Sequence, residues 1–204
     1  MNISQAADRL SRELPCHRVE ILQGRLTATP HADGTHALIL TRLITTFHAA
    51  GARQAGLKYL QAIGLWLPTG PDDFAIPDFS LVAADFQNSH VENNCYAPTS
   101  FRMVVEVTWS HWSDDLGTKA ECYAQAGIPV YLVADRRHDE AVLHTDPTEA
   151  HTAPARPSSA ARPSPSPNPS ASPSNSPLTA SSTGTKAEPA EPFPGHVTFR
   201  HTFE

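Results

Sequence analysis

FRMVVEVTWSHWSDDLGTKAECYAQAGIPVYLVADRR, residues 101–137, decides the fold. It opens on an unbroken apolar run, FRMVVEVTW, of the kind that forms a largely buried strand. Ser113 or Asp114 can cap a helix running from about Asp115 to Ala126, and Gly127 suits the residue just past its end. IPVYLVADRR is a second interior-like strand. Within the first run stands one carboxylate, Glu106. A buried, unpaired carboxylate is expensive, so Glu106 needs a partner, a metal or an open cleft.

Outward from this unit, EAVLHTD (140–146) reads as a last strand, paired with IPVYLVADRR as a hairpin. FAIPDFSLVA (74–83) is strand-like, with Pro77 at a start or edge where a missing N–H matters least. PTGPDD (68–73) is a turn, LKYLQAIGLWL (57–67) is strand-like, and 85–100 is a polar loop. HALILTRLITTFHAAG (36–51) is a helix whose Leu40, Leu43, Ile44 and Phe47 can face a core. RVEILQGRLTAT (18–29) is a hairpin turning at Gln23-Gly24. Asn2 or Ser4 can cap a first helix reaching about Leu14, with Ile3, Ala7, Leu10 and Leu14 on its apolar stripe. The order predicts an α/β or α+β domain with a mixed sheet and helices packed against it.

Composition sets the domain organisation. Eleven of the nineteen prolines fall between Pro154 and Pro194, and from Thr152 to Pro192 Leu178 is the one branched apolar residue. Such a segment buries too little surface to offset its ordering entropy. We therefore expect a folded domain over residues 1–150 and a Pro/Ser/Ala-rich disordered tail over 151–204. The closing GHVTFRHTFE alternates like a strand but has no neighbour in sequence with which to assign it.

The net charge of −6 argues against a broad basic surface for nucleic acid. Cys16, Cys95 and Cys122 are far apart and odd in number, which fits a reducing compartment better than a disulfide framework. The N-terminus carries charges where a signal peptide has its apolar core, and no run approaches eighteen apolar residues. The expectation is a soluble, cytoplasmic protein with no membrane partner. There is no phosphate-binding glycine loop and no G-x-S-x-G serine.

Asp78, Glu106 and Lys119 form the constellation that carries chemistry. Phosphodiester hydrolysis needs an activated water and neutralisation of phosphoryl charge, and a divalent metal on carboxylates supplies both. Hard oxygen ligands suit Mg²⁺ or Mn²⁺. Asp78 and Glu106 are candidate ligands from neighbouring strands, with the carbonyl of Val107 a further oxygen. Lys119, four residues after Asp115, could orient water or phosphate. The competing reading is a surface Asp-Lys helix pair worth a few tenths of a kcal/mol. His31 and His36 could touch phosphate or metal, or be surface loop histidines. Trp109 and Trp112 could stack on an unpaired base, cover the core or meet a second copy. Cys122, inside the helix, reads as packing.

These segments together resemble the Uma2 family of restriction-endonuclease-like proteins in the PD-(D/E)XK nuclease superfamily. The matching pieces are LPTGPDDFAIPDFSLV, VENNCY, VVEVTWSHWSDDLGTK, YAQAGIPVYLVADR and, more weakly, RVEILQGRLTATP. The resemblance implies a restriction-endonuclease-like fold, a mixed sheet flanked by helices, and Mg²⁺- or Mn²⁺-dependent hydrolysis of DNA. It implies a metal-binding Asp at Asp78 and the Glu of the E-x-K element at Glu106. That element here reads Glu106-Val107-Thr108, so threonine holds the lysine position. The lysine is implied to have moved to the following helix, at Lys119. Glu20 resembles the additional acidic residue that some such nucleases contribute to metal.

A homodimer is a further expectation, since cutting both strands of a duplex often uses two sites. Three rivals remain open at this point. Thr108 and the acidic balance would suit an inactive nucleic-acid- or protein-binding module. The abrupt tail would suit a truncated relic. A hydrolase of another phosphoester is the third.

Overall fold

A computed structural model describes residues 1–108, 115–147 and 195–200, with only the backbone for Asp115 and for 195–200. Trp109, Ser110, Trp112, Ser113 and Asp114 lie outside the described residues, as does the side chain of Asp115. All the described residues belong to one unit formed by residues 1–150 and 191–204.

The chain begins with α1 (Ile3–Glu13), started by a capping box. Asn2 Oδ1 accepts from the amide of Gln5, and the Gln5 side chain returns the bond to the Asn2 amide. A hairpin follows, β1 (His17–Leu22) and β2 (Arg25–Pro30), turning at Gln23-Gly24 with both residues at positive φ. Asp33 caps α2 (Gly34–Ala49). Next come β3 (Leu57–Gln61), β4 (Gly64–Trp66), β5 (Phe74–Ala75), β6 (Phe79–Ala83) and β7 (Cys95–Tyr96). β8 (Phe101–Thr108) precedes a π-helical turn (Asp115–Lys119), which runs into α3 (Ala120–Gln125). Gly127, at φ 67°, ends that helix. The last strands are β9 (Val130–Asp135), β10 (Glu140–Thr145) and β11 (Gly195–Arg200).

The strands form two mixed sheets, so the class is α+β. The first has the order β2-β1-β5-β4-β7 and the second β11-β10-β9-β8-β6-β3. β8 and β9 run parallel, with α3 as the crossover between them.

Alternation along the strands sorts side chains into layers. Ile39 and Leu40 of α2 cover one face of the second sheet, meeting Phe79, Met103, Val105 and Val107. The opposite face, through Val82, Val104 and Val133, packs with α3 and with Leu22, Leu65 and Ala75 of the first sheet. Ala7 of α1 closes the far side of the first sheet over Val19 and Ile21. Glu106 lies between Val105 and Val107 in sequence, so its side chain points away from α2 and into the layer shared by α3 and the first sheet.

Several expectations change. LKYLQAIGLWL is two strands in different sheets, broken at Ala62, whose φ is 51°. FAIPDFSLVA likewise splits into β5 and β6, one in each sheet, with Pro77 between them. An apolar pattern fixes which face is buried and says nothing about which sheet receives it. The loop at 85–100 contains β7, which runs parallel beside β4. The helix after β8 becomes α-helical only from Ala120. EAVLHTD is not the last strand. Residues 195–200, inside the span that composition assigns to the tail, pair antiparallel with β10, Thr145 opposite Gly195.

Gly64 is required where β7 meets β4. A Cβ there would lie 2.8 Å from the Asn94 carbonyl and against the Cys95 sulfur. Gly64→Ala is expected to cost about 1–3 kcal/mol through overpacking, measured as a lower midpoint of urea unfolding with unchanged slope.

Candidate active site

The site forms where the two sheets are tied together. In the second sheet Phe79 is opposite Val105, which sets Asp78, at the mouth of β6, beside Glu106 near the end of β8. Asp78 Oδ2 accepts the Val107 amide at 2.8 Å. In the first sheet Glu20 on β1 accepts the Ile76 amide at 2.7 Å. Residues 76–78 are the short link from β5 to β6. Glu20 and Val107 therefore clamp that link from both sheets and deliver Asp78 to a fixed place.

Lys119 reaches the same place from the end of the π-helical turn that leads into α3. Its Nζ lies 2.9 Å from Glu106 Oε1 and 3.4 Å from Glu20 Oε2. Tyr123, one turn further along the helix, donates its hydroxyl to the same Glu106 oxygen at 2.7 Å. The π-helical turn ends at Lys119, and such turns recur at functional sites. Lys119 is only 4% exposed, a buried setting rather than a surface one.

Thr108 follows Glu106 by two residues on β8. It is buried on the same strand face as Glu106, and its hydroxyl has no hydrogen-bond partner among the described residues.

Arg18 completes the cluster. One guanidinium nitrogen donates to Asp78 Oδ1 at 2.5 Å. Its Nε is 3.8 Å from Glu20 and its Nη2 3.7 Å from Glu106. His36, near the start of α2, brings Nε2 to 3.4 Å from Asp78 Oδ2. His31, by contrast, is exposed and its ring lies near the Pro15 carbonyl. Glu20, Asp78 and Glu106 are all buried, and buried carboxylates persist only when paired.

Burial pushes the Asp78 carboxyl up. The His36 hydrogen bond, the Arg18 charge and the Val107 amide outweigh it and hold Asp78 well below the usual carboxylate range. Burial also works against the Arg18 charge, but Glu106, Glu20 and Asp78 raise its pKa above the ordinary value. Burial, then Glu106 and Glu20, lift the Tyr123 hydroxyl well above its own. Tyr123 therefore stays a donor at neutral pH. Burial moves the thiols of Cys95 and Cys122 up to about 11, as expected for packed cysteines rather than nucleophiles.

Arg18, Glu20, His36, Asp78, Glu106 and Lys119 line an open cleft of about 760 Å³, walled by β2 and α2. Arg25, His31 and Arg136 also line it, and Arg136 makes a two-pronged bond to Asp33 at 3.0 Å. The donor chemistry suits Mg²⁺ or Mn²⁺, since Glu20, Asp78 and Glu106 offer hard oxygens. Their present spacing does not form a closed cage. Among the described residues no group of three or more His, Cys, Asp or Glu is arranged to hold a metal ion. The three carboxylates stand around the Arg18 guanidinium instead. Val107 contributes its amide to Asp78.

The sequence reading brought Glu20, Asp78, Glu106 and Lys119 to one place but passed over Arg18 and Tyr123. Arg18 is two residues before Glu20 on β1, hence on the same strand face, and Tyr123 is four after Lys119. Both spacings were available as signals.

The family model described as "Putative restriction endonuclease", Uma2, matches residues 6–171. The chain belongs to the Uma2 family. Among solved structures it is similar to a putative nuclease of DUF820 from Anabaena variabilis, with 12% identity and a TM-score of 0.48. That match covers 62% of this chain and 71% of the other. No curated protein matches. Among the described residues no helix is long and apolar enough to cross a membrane.

Two outcomes follow from the buried charges. Lys119→Met leaves Glu106 and Glu20 short of a cation and is expected to cost about 3–5 kcal/mol by chemical denaturation. The depressed Asp78 contributes stability that is present above its unfolded pKa, roughly 3.9, and is lost as pH falls through its lower folded value. In a urea series against pH, the advantage of the parent over Asp78→Asn is expected to persist down to roughly pH 4 and to shrink only below it.

Proposed function

We propose that this Uma2 protein is a metal-dependent nuclease that hydrolyses phosphodiester bonds of DNA. The observation that carries the reading is the buried contact between Lys119 and Glu106, made by two separate elements on the floor of an open cleft beside Asp78. A fold does not need a lysine and three carboxylates interred together for stability, because such groups are costly to desolvate. They are retained where chemistry uses them.

Asp78, Glu106 and Glu20 would hold Mg²⁺ or Mn²⁺, which when bound lowers the pKa of water and neutralises phosphoryl charge. Lys119 is a compact positive charge at a fixed point, able to hold an attacking water or a phosphate oxygen. Tyr123 fixes the Glu106 oxygen that Lys119 shares. His36 steadies the second oxygen of Asp78, which also takes the Val107 amide. Water gives its oxygen to phosphorus and a proton to the departing alkoxide, leaving a phosphate monoester and an alcohol. The three free cysteines accord with a cytoplasmic setting.

A second reading, a binding module that kept the fold, is favoured by Thr108 and the acidic charge. Cleavage of linear and supercoiled DNA in Mg²⁺ or Mn²⁺ separates the two. The nuclease reading expects cleavage by the parent and a loss of about 10²-fold or more in Glu106→Gln. A parent that binds DNA without cutting it, with a Glu106→Gln variant that melts higher, would instead establish the binding module.

A further inference from the structure

The two cations of the cluster are held differently. Lys119 is almost fully enclosed and makes a 2.9 Å bond to Glu106. Arg18 has 19% of its side chain exposed and lines the cleft. A guanidinium carries five N–H donors in a fixed fork, and a structural arginine ordinarily uses them in two-pronged bonds. Arg18 makes one hydrogen bond to the three carboxylates, with Asp78. Its distances to Glu20 and Glu106 are too long for hydrogen bonds, and its buried Nε has no hydrogen-bond partner. Charge holds this side chain in place, without the fitted geometry that Arg136 shows on Asp33.

The charge balance points the same way. Among the described residues, Glu20, Asp78 and Glu106 face Arg18 and Lys119, three carboxylates against two cations, with His36 beside Asp78. A divalent ion in place of the guanidinium, with Lys119 unchanged, would match the charge of these three carboxylates. The Arg18 guanidinium and a divalent ion cannot occupy the same place among the three carboxylates without mutual repulsion.

We propose that Arg18 is a placeholder cation: it fills the carboxylate cluster in the metal-free protein and swings into the cleft when a divalent ion enters. The inference rests on the metal reading above. Arg18 is then a positioning residue in the resting state, holding three carboxylates in register that would otherwise repel one another. Once displaced, its guanidinium faces the cleft, where the matching ligand is a phosphodiester anion. The metal's apparent affinity is lowered by the fraction of molecules in which the guanidinium is out.

The full-length protein tests this without an activity assay. Titration calorimetry with Mn²⁺ would compare the parent, Arg18→Met and Glu106→Gln. Phenylglyoxal labelling of Arg18 in the parent, mapped by peptide mass, would be followed with and without Mg²⁺. The expected results are Mn²⁺ binding about tenfold tighter or more in Arg18→Met, none in Glu106→Gln, and several-fold faster labelling of Arg18 in Mg²⁺. If Arg18→Met does not fold, the labelling of the parent decides alone. Mn²⁺ binding to the parent with Arg18 still protected in Mg²⁺ overturns the placeholder and leaves the metal reading standing. Absence of Mn²⁺ binding in the parent and in Arg18→Met overturns both.

Discussion

Three carboxylates buried at one point are the constraint around which this domain is arranged. Each would repel the others and lose hydration, so the fold must bring cations and donors to them. It does so from every side: Arg18 from β1, Lys119 from the π-helical turn, Tyr123 from α3, His36 from α2, and amides from Ile76 and Val107. No single element owns the site. Its integrity is therefore a readout of whether both sheets and both flanking helices are in place.

The link at residues 76–78 shows how little chain does this work. Three residues carry the backbone from one sheet to the other. Glu20 holds the first of them by its amide, and Asp78, the last, is held by Val107. Asp73 supports the same arrangement nearby, accepting the Gly24 amide of the β1–β2 turn and the Thr69 hydroxyl. The hairpin that carries Arg18 and Glu20 is thus pinned at its tip as well as along β5. Side chains on short, doubly fixed backbone lose little entropy on binding a ligand.

Much of this was legible in the sequence where the signal is local. The helix stripe of α2, the Gln23-Gly24 turn, β8, β9 and the Glu106 anomaly all rest on periodicity or on one residue's cost of burial. What was not legible is non-local. Nothing within LKYLQAIGLWL or FAIPDFSLVA announces that consecutive strands leave for different sheets, because both sheets bury the same kinds of side chain. Asp78, Glu106 and Lys119 lie together in the structure, whereas nothing in the local sequence beyond its spacing from Glu20 marked Arg18 for the same place. Its meaning appears only when β1 is laid against β6 and β8. The π-helical turn before α3 was likewise invisible, since its sequence reads as an ordinary capped helix.

The pairing of β10 with β11 has a different kind of consequence. Thr145 and Gly195 stand opposite each other, although about fifty residues separate them in the chain. The entropy of closing such an excursion rises only logarithmically, so halving or doubling it changes stability by roughly 0.6 kcal/mol. Selection can therefore lengthen, shorten or rewrite the stretch between the two strands almost without penalty to the fold. Residues 195–200 must still remain a sequence able to dock on β10. The domain thus carries a site where new sequence can accumulate and be tried, bracketed by two strands that keep the sheet whole.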